Sequence, residues 1–197
     1  MCTHCRIILF VSVCLLLISG CNNVDSKLLP IDQNRAFKIL IRKNAHSLEL
    51  YSGTICVKTY QCSLGRNPDG AKEVEGDNKT PVGNFSITTK NAKSRFHRFL
   101  GISYPAIKDA ERGLRQNRIT SAEYDAIVTA TQNKRQPPQT TRLGGNIGIH
   151  GNGYGDFFLR ILPWRFDWTR GCIALTNQDI EELFNLVDLG TPVEIIE

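Results

Sequence analysis

The sequence has no apolar run long enough to cross a bilayer: the longest, Ile7 to Ile18, holds twelve residues, against the ~20 that a spanning helix needs. Past residue 20 there is no Cys-x-x-Cys and no His-x-x-x-His spacing, which removes the usual zinc frameworks. No basic run is interleaved with aromatics and no nucleic-acid motif is present, so binding of DNA or RNA is not expected. No stretch repeats, which excludes solenoids and propellers. Charge is only weakly one-sided at +5, and removal of residues 1–20 would take away Arg6 and no acid. So mild a balance suits an acidic polymer without identifying one, and lysines scattered over a solvated face explain it as well. What remains is a chain of 197 residues, 41% hydrophobic and 22% charged, the composition of a globular protein with one core.

Arg6, the apolar run behind it and the small residues that follow have the layout of a secretory signal over residues 1–20. The run ends in "LISGC", which resembles the lipobox of bacterial lipoproteins. That resemblance implies a mature chain starting at Cys21, a diacylglycerol thioether on Cys21, and a membrane anchor stronger than a single acyl chain gives. It also implies a place in the bacterial cell envelope, facing the periplasm. The plainer alternative is an ordinary cleaved signal in which Cys21 is incidental. Residues 21–35 are polar with one proline and suit a short tether, leaving 36–197 as the domain.

The cysteine count is informative. Cys2, Cys5 and Cys14 leave with the signal and Cys21 is the proposed lipid site, so the domain keeps Cys56, Cys62 and Cys172. An odd number in an oxidising compartment points to a deliberately free thiol. Cys56 and Cys62 share one segment of strand composition, "TICVKTYQCSL". Six residues of extended strand would hold them about 20 Å apart, beyond the ~7 Å limit for a disulfide.

"FKILIR" and "SLELYSGTICVKTYQCSLG" alternate apolar and polar residues around a Ser52-Gly53 turn, which predicts a hairpin or meander. A long glycine-rich and charged loop from Asn67 to Gly83 precedes a strand over Asn84 to Thr89; a connection of that length is expected to be functional. "RFLGISYP" predicts a strand ended by Pro105, and two helical pieces follow before Pro138, the first weakened by Gly113 and the second opened by a Thr120–Glu123 capping box. "NIGIH" and "GCIAL" are short strands. A last helix carries Ile180, Leu183, Phe184 and Val187 on one face, with Thr176 and Asp179 at its start and Gly190 at its end, and "PVEII" closes the chain as a strand. Strands dominate, so a mainly β, sandwich-like core with attached helices is expected.

The chemistry centres on Cys172. A thiol attacks as its thiolate, and at an ordinary value of about 8.5 it needs an imidazole or backbone donors to bring that form within reach. His150 ends one short strand beside Gly151, as Cys172 follows Gly171 at the head of another. If the two strands pair, both side chains meet at one end of a sheet. On spacing alone, a lone histidine and a lone cysteine are more often core or surface residues than a dyad.

"IGIHG" followed by "DWTRGCIALTNQDIEELF" and "GTPVEI", with "GDNKTPVGNFSI" and "SRFHRFLGISYP" upstream, resembles the L,D-transpeptidase catalytic domain of YkuD type over most of Phe37 to Glu197. The resemblance implies a β-rich sandwich in which Cys172 attacks a carbonyl of a peptidoglycan stem peptide and His150 serves as general base, then acid. Loss of D-alanine would leave a thioester on Cys172, resolved by the side-chain amine of a second stem to form a 3-3 cross-link. Backbone N–H groups at Gly171 and Cys172 would bind the oxyanion. Thr169, Arg170, Gly151 and Trp168 are the substrate-binding candidates, and no cofactor or metal is implied.

Two positions depart from the family pattern: Arg170 stands where many members carry histidine, and Ala174 where many carry arginine. Recognition of the donor's carboxylate then falls to Arg170 or Arg165, unless Arg170 is only a solvated loop residue. Tyr154, Phe157, Phe158, Trp164, Phe166 and Trp168 either wall the substrate groove or fill a satellite core. His97 either orients substrate or caps a strand end. Two other functions stay open at this point: a hydrolase on the same scaffold, acting as carboxypeptidase or amidase, and a non-catalytic wall-binding lipoprotein.

Overall fold

The computed structural model describes residues 36–153 and 166–197. The signal segment, Cys21, the tether and, in the aromatic stretch, Tyr154, Phe157, Phe158, Trp164 and Arg165 lie outside the described residues.

The chain opens with β1 (Phe37–Arg42), β2 (Ser47–Ser52) and β3 (Ile55–Gln61), an antiparallel meander with Phe37 opposite Ser52 and Ser47 opposite Gln61. Gly53 makes the tight turn between β2 and β3 at φ 61°, a left-handed conformation that glycine adopts without a Cβ penalty. Alternation places Ile39, Ile41, Leu48 and Leu50 on the inner face, all fully buried. Each such side chain contributes about 1.5–3 kcal/mol on leaving water.

β4 (Gly83–Ser94) is the hinge of the sheet. It extends past the predicted Asn84–Thr89, because its first half pairs with the last strand, β8 (Pro192–Ile196), and its second half with β5 (His97–Ile102). Register breaks between Ile87 and Thr89 and between Asn91 and Ser94 bend it, as bulges do. The eight strands run in the order β3-β2-β1-β8-β4-β5-β6-β7, with β6 (Gly148–His150) and β7 (Ile173–Ala174) at one end. Ser63, two residues past β3, bridges Ala174 of β7, so the curled sheet brings the two ends of its strand order together. One core runs through both halves, joining Ile39 and Leu50 to Leu100, Ile102, Ile149 and Ile173. The mainly β class with attached helices is as expected, its layers being parts of one continuous sheet.

Helix α1 (Ile107–Arg115) forms despite Gly113. A Cβ on Gly113 would lie 2.8 Å from Leu143 Cδ2, so the residue that weakens the helix is also what lets it seat. The Asp109 carboxylate accepts the Ala106 N–H at 3.0 Å. In α2 (Ser121–Gln132) the predicted box is present: Glu123 N–H donates to Thr120 Oγ1 and Thr120 N–H to Glu123 Oε2. These helices share a small core of Ala110, Ile119, Ile127 and Leu143. The last helix, α3 (Asn177–Leu186), starts on Thr176, whose hydroxyl accepts the Asp179 N–H at 2.9 Å. It buries Ile180 and Leu183 against the main core. It stops before Gly190: Val187 is already extended, at φ −107° and ψ 150°, and Gly190 at φ 87° turns the chain into β8.

Candidate active site

β6 lies between β5 and β7, antiparallel to the first and parallel to the second, with His150 opposite both Phe99 and Ala174. The His150 ring, 2% exposed, is enclosed by aromatics. Phe96 stacks on it at 4.4 Å between centroids and 25° between planes, Phe99 lies parallel at 6.3 Å, and Trp168 presents an edge at 5.8 Å. Such pairs fix a ring plane and add about 0.5–1.5 kcal/mol each. Nδ1 lies 2.6 Å from Gly151 O. A carbonyl only accepts, so Nδ1 carries the proton and Nε2 keeps a lone pair. Burial pushes the imidazole pKa down, Arg95's charge adds to that, and the Gly151 bond opposes it. At neutral pH the ring is an uncharged base.

Cys172 sits one step before β7. Ile173 is level with Ile149 and Ala174 with His150, so the next step back sets Cys172 beside Gly148, about 7 Å along the strands from His150 and on the same face. The strands pair, as the sequence reading required, but the two side chains are diagonal neighbours and no hydrogen bond joins them. The thiol points to Asn146 O at 3.4 Å. Burial pushes its pKa up to about 11, against a backbone hydrogen bond from Gly148 and the charge of Lys72. The expectation of a lowered thiol pKa is corrected: the site at rest holds a thiol beside a neutral imidazole, because desolvation outweighs the donors around it.

The turn that presents Cys172 is held by side chains of its own segment. Asp167 accepts the Leu64 N–H at 2.7 Å through Oδ1 and faces His46 Nε2 at 3.1 Å through Oδ2. Thr169 donates its hydroxyl to Cys172 O at 2.7 Å and accepts the Gly171 N–H at 3.0 Å. It is 4% exposed and belongs to the cleft lining, with its hydroxyl engaged in the turn. Because the Gly171 N–H is engaged, Cys172 N–H is the candidate oxyanion donor of the expected pair. Gly171 has φ 121°, and a Cβ there would lie 2.5 Å from Lys79 O, so glycine is required.

Gly151 is buried, and a Cβ on it would meet Asn177 Oδ1 at 2.4 Å. It does not line the cleft, and it acts on His150 through its carbonyl. His97 opens β5, just past the β4–β5 turn, at φ 72° and pairs with Glu181 at 2.7 Å, outside the cleft lining. Arg170 is exposed on the cleft rim, and Trp168 forms part of its wall.

Sequence reasoning did not single out Phe96, Phe99, Asn146, Lys72 or Asp77. Their signal was present: Phe96 belongs to the quoted "SRFHRF" and Asp77 to "GDNKTPVG". Asp77 organises the long loop, accepting N–H groups from Glu73, Val74 and Lys79 and the Lys72 ammonium. Burial works against its ionisation, but these donors outweigh it and hold the carboxyl below its ordinary value.

His150 and Cys172 open on one cleft of about 1370 Å³. Among the described residues its lining is basic: Arg66, Lys72, Lys93, Arg95 and Arg170 face one acid, Glu75. Among the described residues, no group of three or more His, Cys, Asp or Glu side chains is placed to hold a metal ion.

Comparison with known proteins agrees with this architecture. The helical cell shape determining protein Pgp2 from Campylobacter jejuni, in a mutant structure, is 25% identical with a TM-score of 0.56, the match covering 83% of this chain and 47% of Pgp2. A second Pgp2 structure gives 23% identity and a TM-score of 0.55, with 83% and 48% covered. An L,D-transpeptidase from Mycobacterium smegmatis is 12% identical with a TM-score of 0.47, over 83% of this chain and 59% of that one. The chain therefore spans about half the length of Pgp2. No curated protein matches it. The family model for the L,D-transpeptidase catalytic domain matches residues 36–195, nearly the whole curled sheet and its cleft, and this chain belongs to that family.

Proposed function

We propose that this protein is a cysteine-dependent acyltransferase acting on peptidoglycan stem peptides, with Cys172 as nucleophile and His150 as general base and acid. The observation that carries the reading is the placing of the Cys172 thiol and the unprotonated His150 Nε2 on adjacent paired strands, facing one basic cleft. A stem peptide is rich in carboxylates, which suits that lining.

With both groups neutral at rest, the thiol proton moves to Nε2 as Sγ attacks the carbonyl carbon of the stem's third residue. The oxyanion that forms is met by the Cys172 N–H. Collapse breaks the amide C–N bond, and His150 returns the proton to the departing D-alanine amine. A thioester remains. The side-chain amine of a second stem attacks it, giving its proton to His150, and a 3-3 cross-link leaves as the thiol re-forms. Arg170, on the rim, would meet the donor's terminal carboxylate in place of an arginine at Ala174, which is buried in β7. Water in place of the amine would make the enzyme a hydrolase.

The protein would act from the cell envelope, held to a membrane by lipid on Cys21. Pgp2's role in helical cell shape makes wall architecture the natural output to follow. Mass analysis of products from purified tetrapeptide stems and stem dimers, with the full chain in detergent, tests the reaction. Dimers with released D-alanine support transfer; shortened or separated stems alone support hydrolysis. Palmitate labelling of the intact chain, lost in Cys21→Ala, tests the anchor, and absence of label in the intact chain refutes it.

A further inference from the structure

Lys72 is a buried cation that the reaction described above leaves without a task. It is 3% exposed. Its ammonium donates to Val74 O and to Asp77 Oδ1, each at 2.9 Å. Its backbone carbonyl is held by Arg112 Nη2 at 2.8 Å. An ammonium has three N–H donors, and two are accounted for; the third has no acceptor among the described residues, while Lys72 lines the same cleft as Gly144, Asn146 and Cys172. Gly144 makes this approach possible: at φ 83°, a Cβ on it would lie 3.3 Å from Lys72 Cε. Two residues further on, Asn146 O is the group that the Cys172 thiol touches.

We propose that Lys72 is a positioning residue for the chemistry at Cys172: fixed in the cleft wall by Asp77, its ammonium stabilises the thiolate as His150 removes the proton. The inference rests on Cys172 being the nucleophile. It explains why a cation with little solvent access is retained where burial otherwise opposes ionisation of the thiol. It also gives the long loop a function, since Asp77 and its backbone donors aim the ammonium. Among the described residues, the other charged or titratable groups facing this region are His150 from β6, Glu75 from the same loop, Arg66 after β3, Arg170 beside the cysteine, Lys93 near the end of β4, Arg95 in the turn after it, and Arg112 of α1 on the Lys72 carbonyl.

The test reads the thiol without turnover, so it stands apart from any failure of the proposed reaction. Alkylation of the full-length protein by iodoacetamide is followed from pH 7 to 11 by mass of the peptide carrying Cys172. Removing the charge in Lys72→Met should move the profile to higher pH and slow alkylation at pH 8 on the order of tenfold, with Lys72→Arg restoring it. Asp77→Asn keeps an oxygen acceptor for the Lys72 ammonium while removing the opposing charge, and should move the profile the other way. Loss of loop structure alone would shift both variants alike. Coincident profiles for the native protein and Lys72→Met, or shifts of the same sign in Lys72→Met and Asp77→Asn, would overturn the proposal. If Lys72→Met does not fold, Asp77→Asn decides: a shift to lower pH supports it, and no shift or a rise refutes it.

Discussion

His150 and Ala174 are register partners across the parallel β6–β7 pair, and that partnership fixes Cys172 two register steps away on the same face. The side chain proposed to accept a proton and the one proposed to give it are thus held by backbone pairing. Neither depends on a direct bond to the other at rest.

Removing the base should cost more than removing its neighbours. His150→Ala is expected to lower kcat by about 10²–10⁴-fold, and Cys172→Ala to abolish thioester formation. Phe96→Leu, which loses the 4.4 Å stack but keeps an apolar wall, should lower kcat by a smaller factor with KM nearly unchanged. Steady-state kinetics on tetrapeptide stems separates these outcomes.

The pH dependence has a definite sign. His150 has its pKa lowered by burial, so the unfolded chain binds a proton before the folded one does. Its contribution to stability is present above about 6.5, the unperturbed value, and is lost as pH falls through the lower folded value. Thermal melts from pH 8 to 5 should therefore show native protein losing more Tm than His150→Gln. Parallel curves would contradict the buried neutral ring.

Thr169 should behave as part of the turn. Thr169→Val deletes the bonds to Cys172 O and Gly171 N and is expected to destabilise by about 1–3 kcal/mol, with a fall in kcat, while Thr169→Ser restores both. Urea unfolding with kinetics in parallel measures the two effects.

Gly171→Ala combines a left-handed φ with a 2.5 Å contact to Lys79 O. Backbone strain of this kind costs of order 1–3 kcal/mol, and the displaced turn should carry Cys172 away from Asn146. A lowered Tm with faster alkylation at pH 8 is the expected pair of results.

Much of the fold was legible because alternation and capping are local. The β2–β3 turn at Gly53, the Thr120–Glu123 box and the Thr176 cap each follow from a few adjacent residues. The extent of β4 was not, because Lys90 and Asn91 become strand by pairing with Leu100 and Phe99, which no local pattern encodes. Gly190 misled for a related reason: α3 ends where Val187 turns extended into the core. In the site, the cysteine and histidine were visible as residue types. The raised thiol value was not, since the burial that raises it, against Gly148 and Lys72, arises only when segments distant in sequence fold around Cys172.

The central claim is that Cys172 carries the acyl group. Intact-protein mass spectrometry of the full chain in detergent, quenched early after mixing with tetrapeptide stem, tests it most directly. The account predicts a thioester adduct lighter than the stem by D-alanine, mapped to Cys172 and absent in Cys172→Ala. Release of D-alanine at equal rates from native protein and a folded Cys172→Ala variant would contradict it.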